Sequence, residues 1–231
     1  MNWERIGAAS GLAAVVLFLA GFVVFLSQDP TGAPRIPDIQ DADRYGLYLQ
    51  EHKDSIRVEL LLNSVAVVFF LWFIGNLWAH LRAFEGGPAR VSAIASAGGI
   101  AGAIALLMGV VFGASAVVSP SVIEANELYV LAAMSIGLGG AAFTVFFAAV
   151  ARVILETGAL PRLVGALAAV AAVTSALGFV SIFAAEGIFN PATGAFGFWV
   201  RFGAFGVWLA VASAALVVSV GQKKPATRRR R

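Results

Sequence analysis

The sequence contains no cysteine and only two histidines among its 231 residues. The absence of cysteine excludes disulfide bonds, thiolate metal sites and cysteine nucleophiles. If the region between His52 and His80 is helical, the two histidines lie roughly 42 Å apart and cannot share a metal ion or a haem. We therefore expect no metal site and no cofactor.

Signatures of catalysis are also missing. The chain lacks His-Glu-x-x-His, Gly-x-Ser-x-Gly and the phosphate-binding Gly-x-x-x-x-Gly-Lys pattern,. Asp41-Ala-Asp43 matches the short Asp-x-Asp pattern with which some sugar transferases hold a metal-bound diphosphate,. Asp41 equally suits the first turn of a helix, where a carboxylate complements the helix dipole. We identify no catalytic residue and predict that the protein is not an enzyme.

Charge is scarce as well. Charged residues make up 13% of the chain and hydrophobic residues 60%, against about 25% and about 45–50% in soluble domains. Six apolar runs reach the length of about 20 residues that crosses a bilayer. They predict an all-α, polytopic transmembrane helix bundle with six spans, at about 6–26, 57–80, 91–118, 128–155, 163–185 and 196–220. We expect one membrane domain over residues 1–222 and a basic tail over residues 223–231.

The first run has an alternative interpretation, because Arg5 precedes it as a basic residue precedes the apolar part of a signal peptide,. The run of about 21 residues exceeds the usual 7–15 residues of such a segment, and no small-x-small cleavage site follows closely. We expect a retained span, with cleavage as the alternative.

The distribution of charge predicts the orientation. With both termini cytoplasmic, eleven of the sixteen Lys and Arg residues lie on the inner side and ten of the thirteen acidic residues on the outer side,. The basic residues are mostly arginine, and the chain is rich in Ala, Gly and Val, which is typical of high-GC bacterial proteins. We therefore expect a multi-pass protein of a bacterial inner membrane.

Residues 38–83 combine a polar helix with the second span. Four apolar side chains share one helical stripe at its start: Tyr45, Leu49, Ile56 and Leu60,. One helix over this stretch would measure roughly 68 Å, more than twice a bilayer core of about 30 Å. We predict an outer amphipathic helix at 38–55 that either projects or folds onto the surface, with a break near Lys53-Asp54-Ser55.

Small residues predict how the helices pack. Gly98, Gly102, Gly109 and Gly113 lie on one face of the third span, where they let another helix approach closely,. We expect this face to pack within the chain, and a homodimer face is the alternative.

Arg201 is the most informative single residue, because it lies five residues inside the sixth predicted span. A partner about 4 Å away returns about 4 kcal/mol at an effective dielectric constant of 20, so we expect an ion pair, best with Glu59, or a water-filled cavity. The alternatives are an ion pair that only orders the helices, or a guanidinium that snorkels to the headgroups. The predicted outward-facing polar pocket comprises Glu59, Asn63, Glu127, Glu186 and Arg201, and its predicted aromatic floor comprises Phe70, Phe73, Phe205 and Trp208.

Four features together resemble a group of uncharacterised six-span membrane proteins of high-GC, actinobacterial-type bacteria. They are a Trp-x-Arg start, an outer proline loop, the segment Asp43-Arg-Tyr-Gly-Leu-Tyr-Leu-Gln-Glu-His52 and the inner turn Glu85-Gly86-Gly87-Pro88. The resemblance implies a topology, and it implies neither an activity nor a set of site residues.

The pattern favours non-enzymatic binding or transport of a small solute or lipid through the outward-facing pocket. An accessory or structural subunit of a membrane complex is the second hypothesis, and a membrane enzyme acting at the outer face is the third. The expected partners are membrane lipids, a small-molecule or lipid ligand, and a membrane protein or a second copy of the chain, with no nucleic acid.

Overall fold

The computed structural model describes residues 3–26, 42–184, 187–189 and 195–222. Within these residues the regular structure is entirely helical. The α-helices are α1 (Trp3–Leu26), α2 (Ala42–Glu51), α3 (Lys53–Glu85), α4 (Arg90–Val118), α5 (Val122–Thr157), α6 (Arg162–Val180) and α7 (Val200–Gln222). Short 3-10 turns follow α6 at Ser181–Phe183 and Gly187–Phe189, and a π-helical turn at Ala195–Trp199 leads into α7.

Six of these helices, all except α2, are long and apolar enough to cross a membrane. Within the described residues this confirms the prediction of an all-α chain with six helices able to span a membrane, and it indicates a multi-pass membrane protein. Helices α3 and α5 contain 33 and 36 residues, which corresponds to roughly 50 and 54 Å. Both exceed a bilayer core of about 30 Å, so they extend beyond it or tilt.

The six long helices form a ring. Each packs on its neighbour in chain order, and α7 closes the ring by packing on α1. We call the end of the ring where α1 begins and α7 ends the terminal end, and the opposite end, where α3 and α5 begin, the distal end. Aromatic rings fill the middle of the bundle, where the ring of the fully buried Trp208 lies 4.9 Å from that of Phe147 and 5.4 Å from that of Phe146.

Helix α2 lies across the distal end and does not project. Leu49 and Ile56 are buried in a small cluster with Ala116, Val117 and Ala125 of α4 and α5. Gly46 permits the approach, because a Cβ there would collide with the backbone carbonyl of Val122. Of the two predicted arrangements of the outer helix, the structure has the folded one. Residues 38–41, predicted as its start, lie outside the described residues.

The helix interruption falls at His52, next to the predicted break at Lys53-Asp54-Ser55. Backbone hydrogen bonds continue on both sides of it, since the His52 N–H donates to the Tyr48 carbonyl at 3.1 Å and the Ile56 N–H donates to the His52 carbonyl at 3.0 Å. Backbone hydrogen bonding therefore continues from α2 into α3 across the interruption.

The glycine face of α4 is used within the chain, as the sequence predicts. A Cβ on Gly98 would lie 2.8 Å from the backbone nitrogen of Phe146 in α5, and one on Gly102 would lie 2.6 Å from the ring of Phe143. Gly113 instead faces Leu60 of α3. The absence of side chains at these positions lets α4 approach both of its neighbours in the ring.

Two contacts organise the terminal end. The turn after α3 places Glu85 over the start of α4, where its carboxylate accepts hydrogen bonds from the backbone N–H groups of Val91 at 2.8 Å and Ser92 at 2.7 Å, and from the Ser92 hydroxyl. On the other side of the ring, Ser213 of α7 donates to the carbonyl of Ala8 in α1 at 2.5 Å. The same hydroxyl oxygen accepts from the Leu12 N–H at 3.1 Å.

Candidate functional site

The distal half of the ring encloses a cavity of about 580 Å³. This volume lies within the range of about 300–1,000 Å³ typical of small-molecule sites. Most of the lining is apolar, and it is rich in aromatic rings: Phe18, Phe22, Phe143, Phe198, Trp199 and Phe205. The cavity ends where the packed aromatic middle of the bundle begins, since the ring of Phe205 lies 5.2 Å from that of the buried Phe70.

Three of the five predicted site residues share this cavity. Glu59 and Asn63 line it from α3, and Arg201 lines it from α7. Glu127 is exposed on α5 and is not among the lining residues. Glu186 lies outside the described residues, so the structure gives it no place.

Glu59 and Asn63 occupy successive turns of α3 and are joined to each other. The Asn63 Nδ2 donates to the Glu59 Oε1 at 3.4 Å. Asn63 also fills the space beside Gly21 of α1, where a Cβ would lie 2.9 Å from its Oδ1. The amide is therefore held between α1 and α3, and the half-buried carboxylate is held on the α3 wall of the cavity.

Arg201 enters the cavity from the first turn of α7. Its side chain is only 4% exposed, and its aliphatic part lies against Gly178 of α6, where a Cβ would collide with the Arg201 Cδ. The guanidinium carbon lies 4.7 Å from the centre of the Phe202 ring, a cation–π contact,. Within the described chain the Arg201 Nη1 has no hydrogen-bond partner.

The predicted ion pair between Glu59 and Arg201 is not formed. The ion pairs found among the described residues, Asp54 with Arg57 and Arg152 with Glu156, both lie on exposed surfaces. Depth along the helices suggested the pairing of Glu59 with Arg201, but Asn63 holds the carboxylate on α3. Burial also excludes the alternative in which Arg201 snorkels to the surface.

The predicted aromatic floor is partly wrong. Phe205 lines the cavity, but Phe70, Phe73 and Trp208 are fully buried in the packed core below it. Phe143 takes the place expected for them. No signal in the sequence separates Phe143 from the neighbouring Phe146, because both are apolar residues of one span.

Sequence reasoning also missed three polar lining groups, Tyr48 of α2, Tyr129 of α5 and Ser175 of α6. The sequence feature that could have indicated Tyr48 is the apolar stripe containing Leu49, which predicts that α2 is amphipathic. Its place in the cavity wall follows only once α2 is known to fold onto the distal end.

The cavity reaches the outer face of the ring between α1 and α7. Leu19 belongs to an exposed stripe of α1, and Val207 belongs to one of α7, with exposed fractions of 57% and 55%, yet both line the cavity. Gly203 and Gly206 also line it, and a Cβ at either position would meet no atom within 4 Å. We call this side of the cavity, lined by Leu19, Gly203, Gly206 and Val207, the α1–α7 seam.

The remaining polar groups lead to no second site. Among the described residues no group of three or more His, Cys, Asp or Glu side chains is placed to hold a metal ion. His80 is buried, and its Nε2 lies 2.9 Å from the Ala159 carbonyl, so it joins α3 to the turn after α5. Asp41 of the Asp-x-Asp pattern lies outside the described residues. Among the described residues, the candidate site is therefore the distal cavity.

Comparison of the chain with protein-family models, with curated proteins and with solved structures finds no match.

Proposed function

We propose that this multi-pass membrane protein binds a small molecule with an apolar body and a polar group in its distal cavity, without transforming it chemically. The observation that carries the proposal is Arg201, a buried cation that lines an apolar cavity and whose Nη1 has no hydrogen-bond partner among the described residues. Leaving a buried donor unsatisfied costs about 1–3 kcal/mol, and more for a charged group. A ligand that accepts a hydrogen bond from Arg201 would remove this cost.

Binding has more support than transport. Between the cavity and the terminal end, the middle of the bundle is closed by packed rings, among them Trp208 at 0% exposure. Two deep hydroxyls bond within their own helices, since Thr144 donates to the Gly140 carbonyl at 2.7 Å and Thr174 donates to the Ala171 carbonyl at 3.1 Å. The described chain thus offers a site at one end and no polar path through it, whereas a transport route needs polar groups at depth.

The proposed setting is a bacterial inner membrane with both termini in the cytoplasm. Five arginines of the described chain lie at the terminal end, the cytoplasmic end in this orientation: Arg5, Arg82, Arg90, Arg152 and Arg162. The excess of basic residues there fits the positive-inside rule. The cavity at the distal end would then lie in the outer half of the bilayer.

As an accessory subunit, the protein would offer a partner lipid-facing glycines or a projecting outer helix. In the structure α5 and α3 occupy the glycine face of α4, and α2 packs on α4 and α5. These surfaces are therefore less suited to a partner protein than the sequence suggested.

Native mass spectrometry of the protein purified in mild detergent tests the proposal. Wild-type protein should carry a stoichiometric small mass, and Gly206→Phe, which introduces a ring into the cavity wall, should lose it. Gly75→Phe is the matched control, because Gly75 also has no atom within 4 Å of a Cβ but lies outside the cavity lining. A wild-type protein that carries no extra mass, or a mass that persists in Gly206→Phe, would contradict binding in this cavity.

A further inference from the structure

The Arg201 Nη1, which has no hydrogen-bond partner among the described residues, indicates the chemistry of the missing group. The Arg201 side chain is nine-tenths buried, its aliphatic part is fixed against Gly178, and its guanidinium lies over the Phe202 ring. Guanidinium presents several N–H donors in one plane, a geometry that matches the paired oxygens of a carboxylate or a phosphate. An anionic group is therefore the natural complement of this side chain.

Glu59 restricts where such an anion can lie. Its carboxylate lines the same cavity from α3, held by Asn63 at 3.4 Å. Where Glu59 is ionised, a second negative charge beside it would be repelled, whereas the Arg201 guanidinium attracts one. An anionic ligand should thus place its charge at Arg201, on α7, and only uncharged atoms towards Glu59.

Much of the remaining cavity wall suits a hydrocarbon chain. Below Arg201 the walls are the side chains of Val67, Leu106, Phe143 and Phe205, none of which offers a hydrogen bond. Burying an apolar chain there gains about 25 cal/mol for each Å² removed from water. The polar end of the ligand is thereby placed near the distal end of α7 and its apolar end near the middle of the bundle.

The α1–α7 seam indicates the source of the ligand. Leu19 and Val207 belong to faces that a spanning bundle turns towards lipid, and both also line the cavity. At Gly203 and Gly206 no side chain of the described residues closes the gap. A molecule already dissolved in the bilayer can therefore reach Arg201 sideways, without crossing the water phase.

We infer that the occupant is an acidic single-chain lipid from the bilayer, whose carboxylate or phosphate pairs with Arg201 and whose acyl chain occupies the apolar part of the cavity. This inference rests on the proposed function and adds the charge and the origin of the ligand.

Three probes with the same sixteen-carbon chain test the charge of the ligand. Full-length delipidated protein in mild detergent is titrated with hexadecanoate, hexadecanol and hexadecyltrimethylammonium, and bound stoichiometry is read by native mass spectrometry. We expect one hexadecanoate per chain, bound at least about ten-fold more tightly than hexadecanol, since a hydrogen bond to a charged group is worth about 1.5–3 kcal/mol. Equal binding of acid and alcohol, or a preference for the cationic probe, would overturn the inference.

Variants assign the preference to Arg201. Arg201→Met should abolish the difference in affinity between acid and alcohol, and Arg201→Lys should retain part of that difference. The Lys variant also keeps the test valid if the Met variant misfolds. Arg57→Met is the matched control, because Arg57 is exposed at the same end of the bundle and does not line the cavity. A preference for the acid that survives both Arg201 variants would place the anion elsewhere and overturn the assignment.

Soluble anions test the source. Inorganic phosphate and octanoate should fail to displace hexadecanoate at comparable concentrations, and displacement by phosphate alone would contradict a bilayer lipid.

The two proposals fail separately in this design. If acid and alcohol bind equally and Gly206→Phe abolishes both, the binding function stands and only the acidic class is wrong. If no sixteen-carbon probe binds the wild-type protein, the inference of a single-chain lipid is wrong, and the mass carried by the protein as purified decides the proposed function.

Discussion

Arg201 of α7 lies across Gly178 of α6, where its Cδ occupies the space that a Cβ at residue 178 would need. A single missing methyl group thus fixes the path of the buried guanidinium into the cavity. We predict that Gly178→Ala forces the arginine to move and weakens ligand retention, together with an overpacking cost of about 1–3 kcal/mol. Native mass spectrometry and a thermal melt in detergent measure the two effects.

Gly203→Ala is the control for Gly178→Ala, because a Cβ at residue 203 meets no atom within 4 Å. It should leave the melting temperature unchanged or slightly higher, since alanine favours the helix by about 1 kcal/mol over glycine. Equal destabilisation by the two substitutions would show that Gly178 has no special role.

Arg201→Met should not destabilise the ligand-free protein. Breaking a buried ion pair costs about 3–5 kcal/mol, whereas removing a buried charge that has no carboxylate partner costs little or increases stability. In delipidated protein we therefore expect a melting temperature equal to or above that of the wild type. A fall of many degrees, absent in the control Arg57→Met, would reveal a partner for Arg201 outside the described residues.

Ser213→Ala tests the closure of the ring. The substitution removes the hydroxyl that donates to the Ala8 carbonyl at 2.5 Å and accepts from the Leu12 N–H at 3.1 Å. Hydrogen bonds between membrane helices are worth about 0.6–1.7 kcal/mol, so we expect a loss in this range from detergent unfolding curves. Ser135→Ala is the control, because the Ser135 hydroxyl donates within its own helix to the Leu131 carbonyl. A Ser213→Ala protein as stable as the control would contradict the closure.

Glu85→Ala should loosen the start of α4. The carboxylate accepts from two backbone N–H groups, of Val91 and Ser92, that have no other partner at a helix start,. Losing such a cap typically costs about 1 kcal/mol, and faster hydrogen exchange of the first turn of α4 would locate the effect. Glu156→Ala, which removes only the exposed ion pair with Arg152, should cost less than about 0.5 kcal/mol.

The absence of cysteine makes the orientation directly testable. Single cysteines can be introduced at Lys53 at the distal end and at Ala83 at the terminal end, both exposed. A membrane-impermeant maleimide added to intact cells should label Lys53→Cys, and should label Ala83→Cys only after lysis. The reverse pattern would contradict cytoplasmic termini.

The six spans were predictable because length and apolar composition determine them without knowledge of the neighbours. The stripe containing Leu49 and Ile56 likewise predicted which face of α2 is buried. Whether α2 projects or folds was not predictable, because this depends on Val122 lying beside Gly46. Local pattern determines which side of a helix is buried, and only tertiary structure determines what covers it.

The site was predictable in depth but not around the helix axis. Glu59, Glu127 and Arg201 all lie near the distal end, as counting from the span ends indicates. Depth alone does not say that Glu127 is exposed on the outside of α5 while Arg201 is buried inside the ring. Composition could indicate the cost of the buried charge, but a linear pattern does not predict the ring closure that leaves the Arg201 Nη1 without a partner among the described residues.

The Ser213 hydroxyl holds α1 and α7 together at one point along their junction. Towards the terminal end the helices are held by directional hydrogen bonds to the backbone at Ala8 and Leu12. Towards the distal end, the ring of Phe22 in α1 packs edge to face on that of Trp199, in the turn before α7, at 5.3 Å. A molecule too wide for the cavity would therefore separate α1 and α7 at the distal end, while the hydrogen bonds at Ser213 hold the two helices together.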